Sequence, residues 1–181
     1  RGVAREVAAI TSSPLKPLHF KVPNIGISDV LKVNVHASDL CGRFTGRIIK
    51  GVKVGPSPEW LRRSLESIGL RPINSIVDIT NFVMIEYGQP LHAFDYDLVP
   101  GGTLVARGAR TGETLQTLAA ERDAVELHPD MTVVALDDLH GGVPVSLAGI
   151  IGGAATEIRD STTNILLEAA NWHPARTRRT A

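Results

Sequence analysis

A chain of 181 residues with 43% hydrophobic content can bury a core of its own, as one large domain or two small ones, and its formal net charge of zero argues against bulk attraction to nucleic acid. The charges are unevenly placed: residues 1–63 hold eleven Lys and Arg against four acids, residues 64–175 hold five against fifteen, and Arg176, Arg178 and Arg179 follow. A polyanion is therefore expected at the amino-terminal third or the tail, with an ordinary solvated surface as the competing reading. The sole cysteine, Cys41, excludes an internal disulfide and points to a reducing compartment. No apolar run approaches the roughly 20 residues of a membrane span and no basic-plus-apolar leader opens the chain, so a cytoplasmic location without a membrane partner is expected.

Residues 1–10 have the pattern of a helical end continuing from something longer, and residues 11–24 contain Pro14, Pro17 and Pro23, which deny both helix and central strand. The expected division is a segment over residues 1–24 that links from a preceding domain, then one domain over residues 25–181. Leu31, Val33 and Val35 alternate with Lys32, Asn34 and His36, the period of a half-buried strand. Residues 43–54 predict a second strand bent at Gly46 and Gly51, and Cys41 between the two is expected as small core filler rather than a nucleophile. Ser57 followed by Pro58 signals a helix over residues 57–68 that turns Trp60, Leu61, Leu65 and Ile68 inward and ends at Gly69.

The most informative stretch is residues 71–95, RPINSIVDITNFVMIEYGQPLHAFD. Asn74 is placed to cap a helix over residues 75–87 whose inner face carries Ile76, Val77, Thr80, Val83 and Met84. Gly88 is a left-handed stop and Pro90 prevents continuation before His92. Strands are expected over residues 103–106, 113–118, 123–127, 132–136, 143–151 and 163–170, with a turn-rich connection at DDLHGG and a short basic helix from Pro174. With no βαβ alternation, the pattern predicts an α+β fold with a mainly antiparallel, barrel-like sheet, flanking helices, and Trp60 and Met84 buried.

Three features carry candidate chemistry. Thr80 and Asn81 on the helix and His92 beyond its end are placed to line one pocket; the plainer alternative is that Thr80 satisfies a helix carbonyl and His92 is a structural histidine. Glu168 interrupts an apolar strand, where an ionised carboxylate costs several kcal/mol unless paired, although simple alternation would turn it to solvent. The run LAGIIGG offers Gly149, Gly152 and Gly153 for close backbone approach, or merely a bulge, and it lacks the lysine and spacing of a phosphate loop. The six histidines are scattered without a metal-ligand spacing, so no metal site is expected, and no nucleophile elbow appears.

The stretch over residues 71–95, followed by LAGIIGG and NILLEAANWHPARTRRTA in that order, resembles the beta subunit of bacterial phenylalanyl-tRNA synthetase, and the resemblance runs over nearly the whole chain. It implies the central editing module of a much larger subunit, hydrolysing tyrosine wrongly attached to phenylalanine tRNA without a metal or a covalent intermediate. The alternative is a non-catalytic structural and tRNA-docking module of the same synthetase. The family's pocket falls on Thr80, Asn81 and His92 around the reacting ester and terminal adenosine, on Gly149 and Gly152 as a backbone wall, and on Glu168 as the group that reads the tyrosine hydroxyl. Thr80 and His92 take the catalytic roles, and Asn81, Gly149, Gly152 and Glu168 bind substrate. The resemblance further implies misacylated phenylalanine tRNA, the alpha subunit and the remaining beta-subunit domains as partners. No cofactor is implied for this chain, with ATP and magnesium expected only for the full synthetase. Two departures stand out: AAERD follows Leu118 where the family has an Asp-Gly turn, expected to be a loop change away from the pocket, and the chain stops at TRRTA before the family's next motif, which is expected to leave one wall of the pocket incomplete.

Overall fold

The structure is a computed structural model that describes residues 1–21, 31–118, 124–137, 139 and 142–181. Pro23 of the proline-rich segment, the AAERD turn at residues 119–123, and Asp138, His140 and Gly141 of the DDLHGG connection lie outside the described residues. In chain order the elements are α1 (Gly2–Thr11), β1 (Lys32–Val35), β2 (Cys41–Lys50), α2 (Glu59–Glu66), α3 (Ser75–Tyr87), β3 (Leu91–Asp95), β4 (Thr103–Gly108), β5 (Thr114–Leu115), β6 (Val125–Glu126), β7 (Thr132–Leu136), β8 (Pro144–Leu147), β9 (Ile151–Gly152), β10 (Asn164–Trp172) and α4 (Pro174–Thr180).

Two main sheets share the core. The larger has five strands in the order β1-β4-β7-β8-β9, and the smaller has three, with β10 between β2 and β3. Pairing within the smaller sheet is antiparallel, whereas β1 joins β4 in parallel and makes the larger sheet mixed. Because side chains alternate along a strand, β10 buries two different faces. Leu166, opposite Phe94 of β3, packs against Leu104, Val134 and Val145 of the larger sheet, while Ile165 and Ala93 pack on the other side against Ile76 of α3. A strand covered on both sides needs apolar residues at successive positions, which is why residues 165–170 form a nearly unbroken apolar run.

The α+β class and the mainly antiparallel pairing follow the sequence pattern; the barrel does not. Among the described residues the larger sheet has free ends at β1 and β9, and no ladder closes it. Alternation marks a half-buried strand without saying which strand it pairs with, and β2, which follows β1 in the chain, belongs to the other sheet. Other expected strands are also shorter: residues 113–118 hold only β5 and an isolated bridge from Thr117 to Gly153, residues 124–127 hold only β6, the strand expected over residues 43–54 ends at Lys50, and residues 143–151 split into β8 and β9 around Gly149, which lies at φ +70°.

The α2 start differs from expectation as well. Pro58 occupies the cap position, and the Ser57 hydroxyl, instead of capping, donates to Oδ2 of Asp78 at 2.5 Å. Asp78 is fully buried and its Oδ1 accepts the Ile73 N–H at 2.8 Å, so this carboxylate ties the α2 entry to the first turn of α3. Leu61 and Leu65 face inward as predicted, but Ile68 is half exposed and Trp60 is 58% exposed. The Trp60 ring meets Phe82 of α3 edge-on at 5.4 Å, a contact that satisfies one edge of the indole and leaves the rest to solvent. Met84 is half-buried. For α3, Asn74 Oδ1 accepts the N–H groups of Ile76 and Val77 at 3.1 and 3.0 Å, and Gly88 stops the helix in the left-handed region at φ 75°. Such a cap contributes about 1 kcal/mol.

Candidate functional site

A cavity of about 450 Å³ opens between two sheet edges. β3, at the edge of the smaller sheet, supplies Leu91 and His92; β9, at the edge of the larger sheet, supplies Ile151 and Gly152; α3 closes the third side with Val77, Thr80 and Asn81. All six residues singled out from the sequence, Thr80, Asn81, His92, Gly149, Gly152 and Glu168, line this one cavity.

Glu168 and His92 are directly opposite each other across the β10–β3 ladder, so both side chains leave the sheet on the same face. Glu168 is 5% exposed, its Oε2 has no hydrogen-bond partner, and burial pushes its carboxyl up from the ordinary 4.5 to about 8. At neutral pH it is therefore held mostly as the neutral acid, able to donate one hydrogen bond as well as accept. Solvent alternation is overruled here because both faces of β10 are covered.

His92 stands edge-on to Phe94, with ring centroids 4.4 Å apart and planes at 83°. Burial lowers its imidazole from 6.5 to about 4, so the ring is neutral at pH 7. The ring also meets the Gly152 backbone: a Cβ at that position would collide with His92 Cε1 and come within 2.7 Å of Nε2. Glycine here is what admits the ring. At Gly149 the left-handed φ is one constraint, and Trp172 is another, since a Cβ would lie 2.8 Å from its Cδ1.

On α3, the Thr80 hydroxyl donates to the Val77 carbonyl at 2.7 Å, the plainer role considered for it. That bond uses its proton and leaves oxygen lone pairs that can accept from a ligand. The sequence reading missed other lining residues. Ser146 is buried and donates to the Ile151 carbonyl at 3.2 Å; Glu157 and Trp172 also line the cavity. Trp172 could have been found by extending the β10 pattern two residues; Glu157 follows a short turn and carries no periodic signal. Among the described residues no cluster of three His, Cys, Asp or Glu side chains could hold a metal ion, and no helix is long and apolar enough to cross a membrane.

Comparison with known proteins places this geometry in a family. Residues 40–181 match the B3/4 domain family. The chain is 48% identical over 184 residues to the phenylalanine–tRNA ligase beta subunit of Moorella thermoacetica, covering 99% of this chain and 22% of that protein. It is 45% identical over 181 residues to the corresponding subunit of Carboxydothermus hydrogenoformans, again with 99% and 22% coverage. The chain thus spans about a fifth of the length of these relatives. In fold it is similar to an N-terminal fragment of the phenylalanyl-tRNA synthetase beta subunit from Pyrococcus horikoshii, with a TM-score of 0.58, 14% identity, and 86% of this chain and 47% of that one covered. A two-sheet α+β chain matched from residue 40 to its last residue, and 48% identical to a ligase beta subunit over nearly all its length, belongs to the B3/4 domain family, in the form carried by bacterial phenylalanine–tRNA ligase beta subunits.

Proposed function

We propose that the cavity hydrolyses the ester of tyrosine misattached to phenylalanine tRNA, within a ligase beta subunit that works with an alpha subunit, beta-subunit domains outside this chain, and tRNA in the cytoplasm. The observation that carries the proposal is Glu168: a buried carboxyl with an unpartnered oxygen, lining a cavity that is otherwise largely apolar. A buried polar group without a partner costs about 1–3 kcal/mol, which a ligand hydroxyl at that point recovers and a bare phenyl ring does not. Tyrosine and phenylalanine differ by that hydroxyl alone, and sites built to bond a hydroxyl reject the analogue lacking it by as much as about 10⁴ to 10⁵.

His92 fits a positioning role. A ring that is neutral at pH 7 and protonates only near 4 is a weak proton acceptor, but it can hold a water or a ribose hydroxyl by a hydrogen bond. In this reading Thr80 and Asn81, on the α3 side, hold the terminal adenosine and ester, while Gly152 makes room for the His92 ring and Gly149 for Trp172. The test is deacylation of Tyr-tRNA and Phe-tRNA by the protein. Tyr-tRNA should be hydrolysed preferentially, Glu168→Ala should narrow the ratio, and Glu168→Gln should keep part of it through a neutral hydrogen bond. Full preference in Glu168→Ala would assign discrimination to another part of the cavity; equal stability of both substrates would leave the chain as a docking module.

A further inference from the structure

Among the described residues, two glutamic acid side chains line the cavity and no Lys or Arg does. Their environments are opposite. Glu168 is 5% exposed within β10, whereas Glu157 is solvent-exposed beyond the turn that runs from Ala154 to Thr156. The backbone around Glu157 is fixed: its N–H donates to the Ala154 carbonyl at 3.3 Å, and its neighbours Thr156 and Ile158 are both buried, at 1% and 8% exposure. Glu157 therefore stands on an anchored segment and lines the same cavity as Glu168, whose unpartnered oxygen is itself buried.

An aminoacyl ester brings two polar groups of its own besides the ester. Its α-amine titrates near neutral pH, somewhat below the value of about 7.7–8.0 usual for a chain terminus because the ester withdraws electrons, so a cationic form is present at neutral pH, while a tyrosine phenol is neutral. A desolvated carboxyl lacking a cation suits the neutral group; an exposed acidic side chain that keeps its hydration suits the ammonium. Tyrosine carries the two groups at its opposite ends. With the phenol at Glu168, the orientation on which the proposed function rests, the amine is directed back toward the rim.

We propose that Glu157 is the α-ammonium site of this cavity, so that the site takes aminoacyl esters with a free amine and turns away those whose amine is acylated, as in a peptidyl ester. The lack of a Lys or Arg among the described lining residues agrees with a cationic ligand group. A charge-assisted hydrogen bond at a solvated rim sits at the lower end of the usual range, corresponding to about tenfold in affinity.

The test uses two soluble probes that differ only in the amine, tyrosinamide and 3-(4-hydroxyphenyl)propanamide, titrated into the protein and its E157Q variant by NMR. The wild type should bind tyrosinamide about tenfold more tightly, and E157Q should bind the two within about twofold of each other. Because Glu157 is exposed, the substitution leaves the core untouched, and an unchanged NMR spectrum away from the cavity checks this. A preference that survives in E157Q, a wild type that does not discriminate, or the absence of saturable binding of either probe overturns the proposal. Hydrolysis of Tyr-tRNA and N-acetyl-Tyr-tRNA is measured alongside. Amine preference without hydrolysis of Tyr-tRNA supports the ammonium site while sinking the hydrolytic reading, so the two fail separately.

Discussion

At the scale of single residues, the tightest constraint is between Gly152 and His92. A methyl at 152 cannot coexist with the present ring position, because it would lie 2.7 Å from Nε2 and closer still to Cε1. In Gly152→Ala the ring must turn away, or β9 must shift, at an overpacking cost of about 1–3 kcal/mol. Tyr-tRNA deacylation should fall by more than the loss of folded protein explains; deacylation rates read beside a thermal melt separate the two. His92→Ala makes the complementary cut, emptying the position without strain. It should slow deacylation by roughly 10- to 1000-fold, within or below the range of about 10²- to 10⁴-fold typical of general acid–base groups, as fits a positioning role. An unchanged rate would remove His92 from the reaction.

Among the elements, α3 bears most on the site, since it supplies Thr80 and Asn81 and is oriented by contacts at its first turn. Asn74 fixes its start, and the buried Asp78 fastens that start to the segment entering α2 through Ser57 and to the Ile73 amide. Ser57→Ala leaves one oxygen of a fully buried carboxylate without its donor. The expected destabilisation is about 1–3 kcal/mol, read in a denaturant melt. A loss no larger than a few tenths would mean that water replaces the hydroxyl. The strands contribute differently. β10 carries Glu168 between His92 of β3 and Gly46 of β2, and at Gly46 the Leu31 side chain fills the space a Cβ would take.

For the whole molecule, the two buried titratable groups oppose each other in pH dependence. Glu168 has a raised folded value, so its contribution to stability is intact below 4.5 and is lost as pH rises toward about 8, because the unfolded chain releases that proton earlier. His92 has a lowered folded value, so stability is lost as pH falls from 6.5 toward about 4, where the unfolded chain takes up a proton that the folded one refuses. Between about 4.5 and 6.5 the slopes from these two groups cancel; above 6.5 the Glu168 slope acts alone. Stability measured by denaturant midpoint should therefore decline between pH 6.5 and 8, and Glu168→Gln should flatten that decline and exceed the wild type at pH 8. An identical decline in Glu168→Gln would show that Glu168 is ionised in the folded state.

The sequence by itself determined what local chemistry decides. Asn74 and Gly88 bracket α3 because a cap and a left-handed stop act within a turn or two, and the α+β class follows from the alternation of apolar residues along short strands. Resemblance to a family put Thr80, Asn81, His92, Gly149, Gly152 and Glu168 at one site, and the fold brings them to one cavity. Only the tertiary structure decided the rest. Alternation alone would have turned Glu168 outward; it is buried because β10 is the middle strand of a sheet covered on both faces. Trp60 has the spacing of an inward residue, yet it lies at the margin of the α2–α3 contact, where no third layer covers it. Glu157 gave no signal, since an exposed carboxylate in a loop is ordinary until the fold sets it at the rim of a cavity. Strand pairing, coverage and the meeting of distant loops are long-range choices, and no local window of the chain contains them.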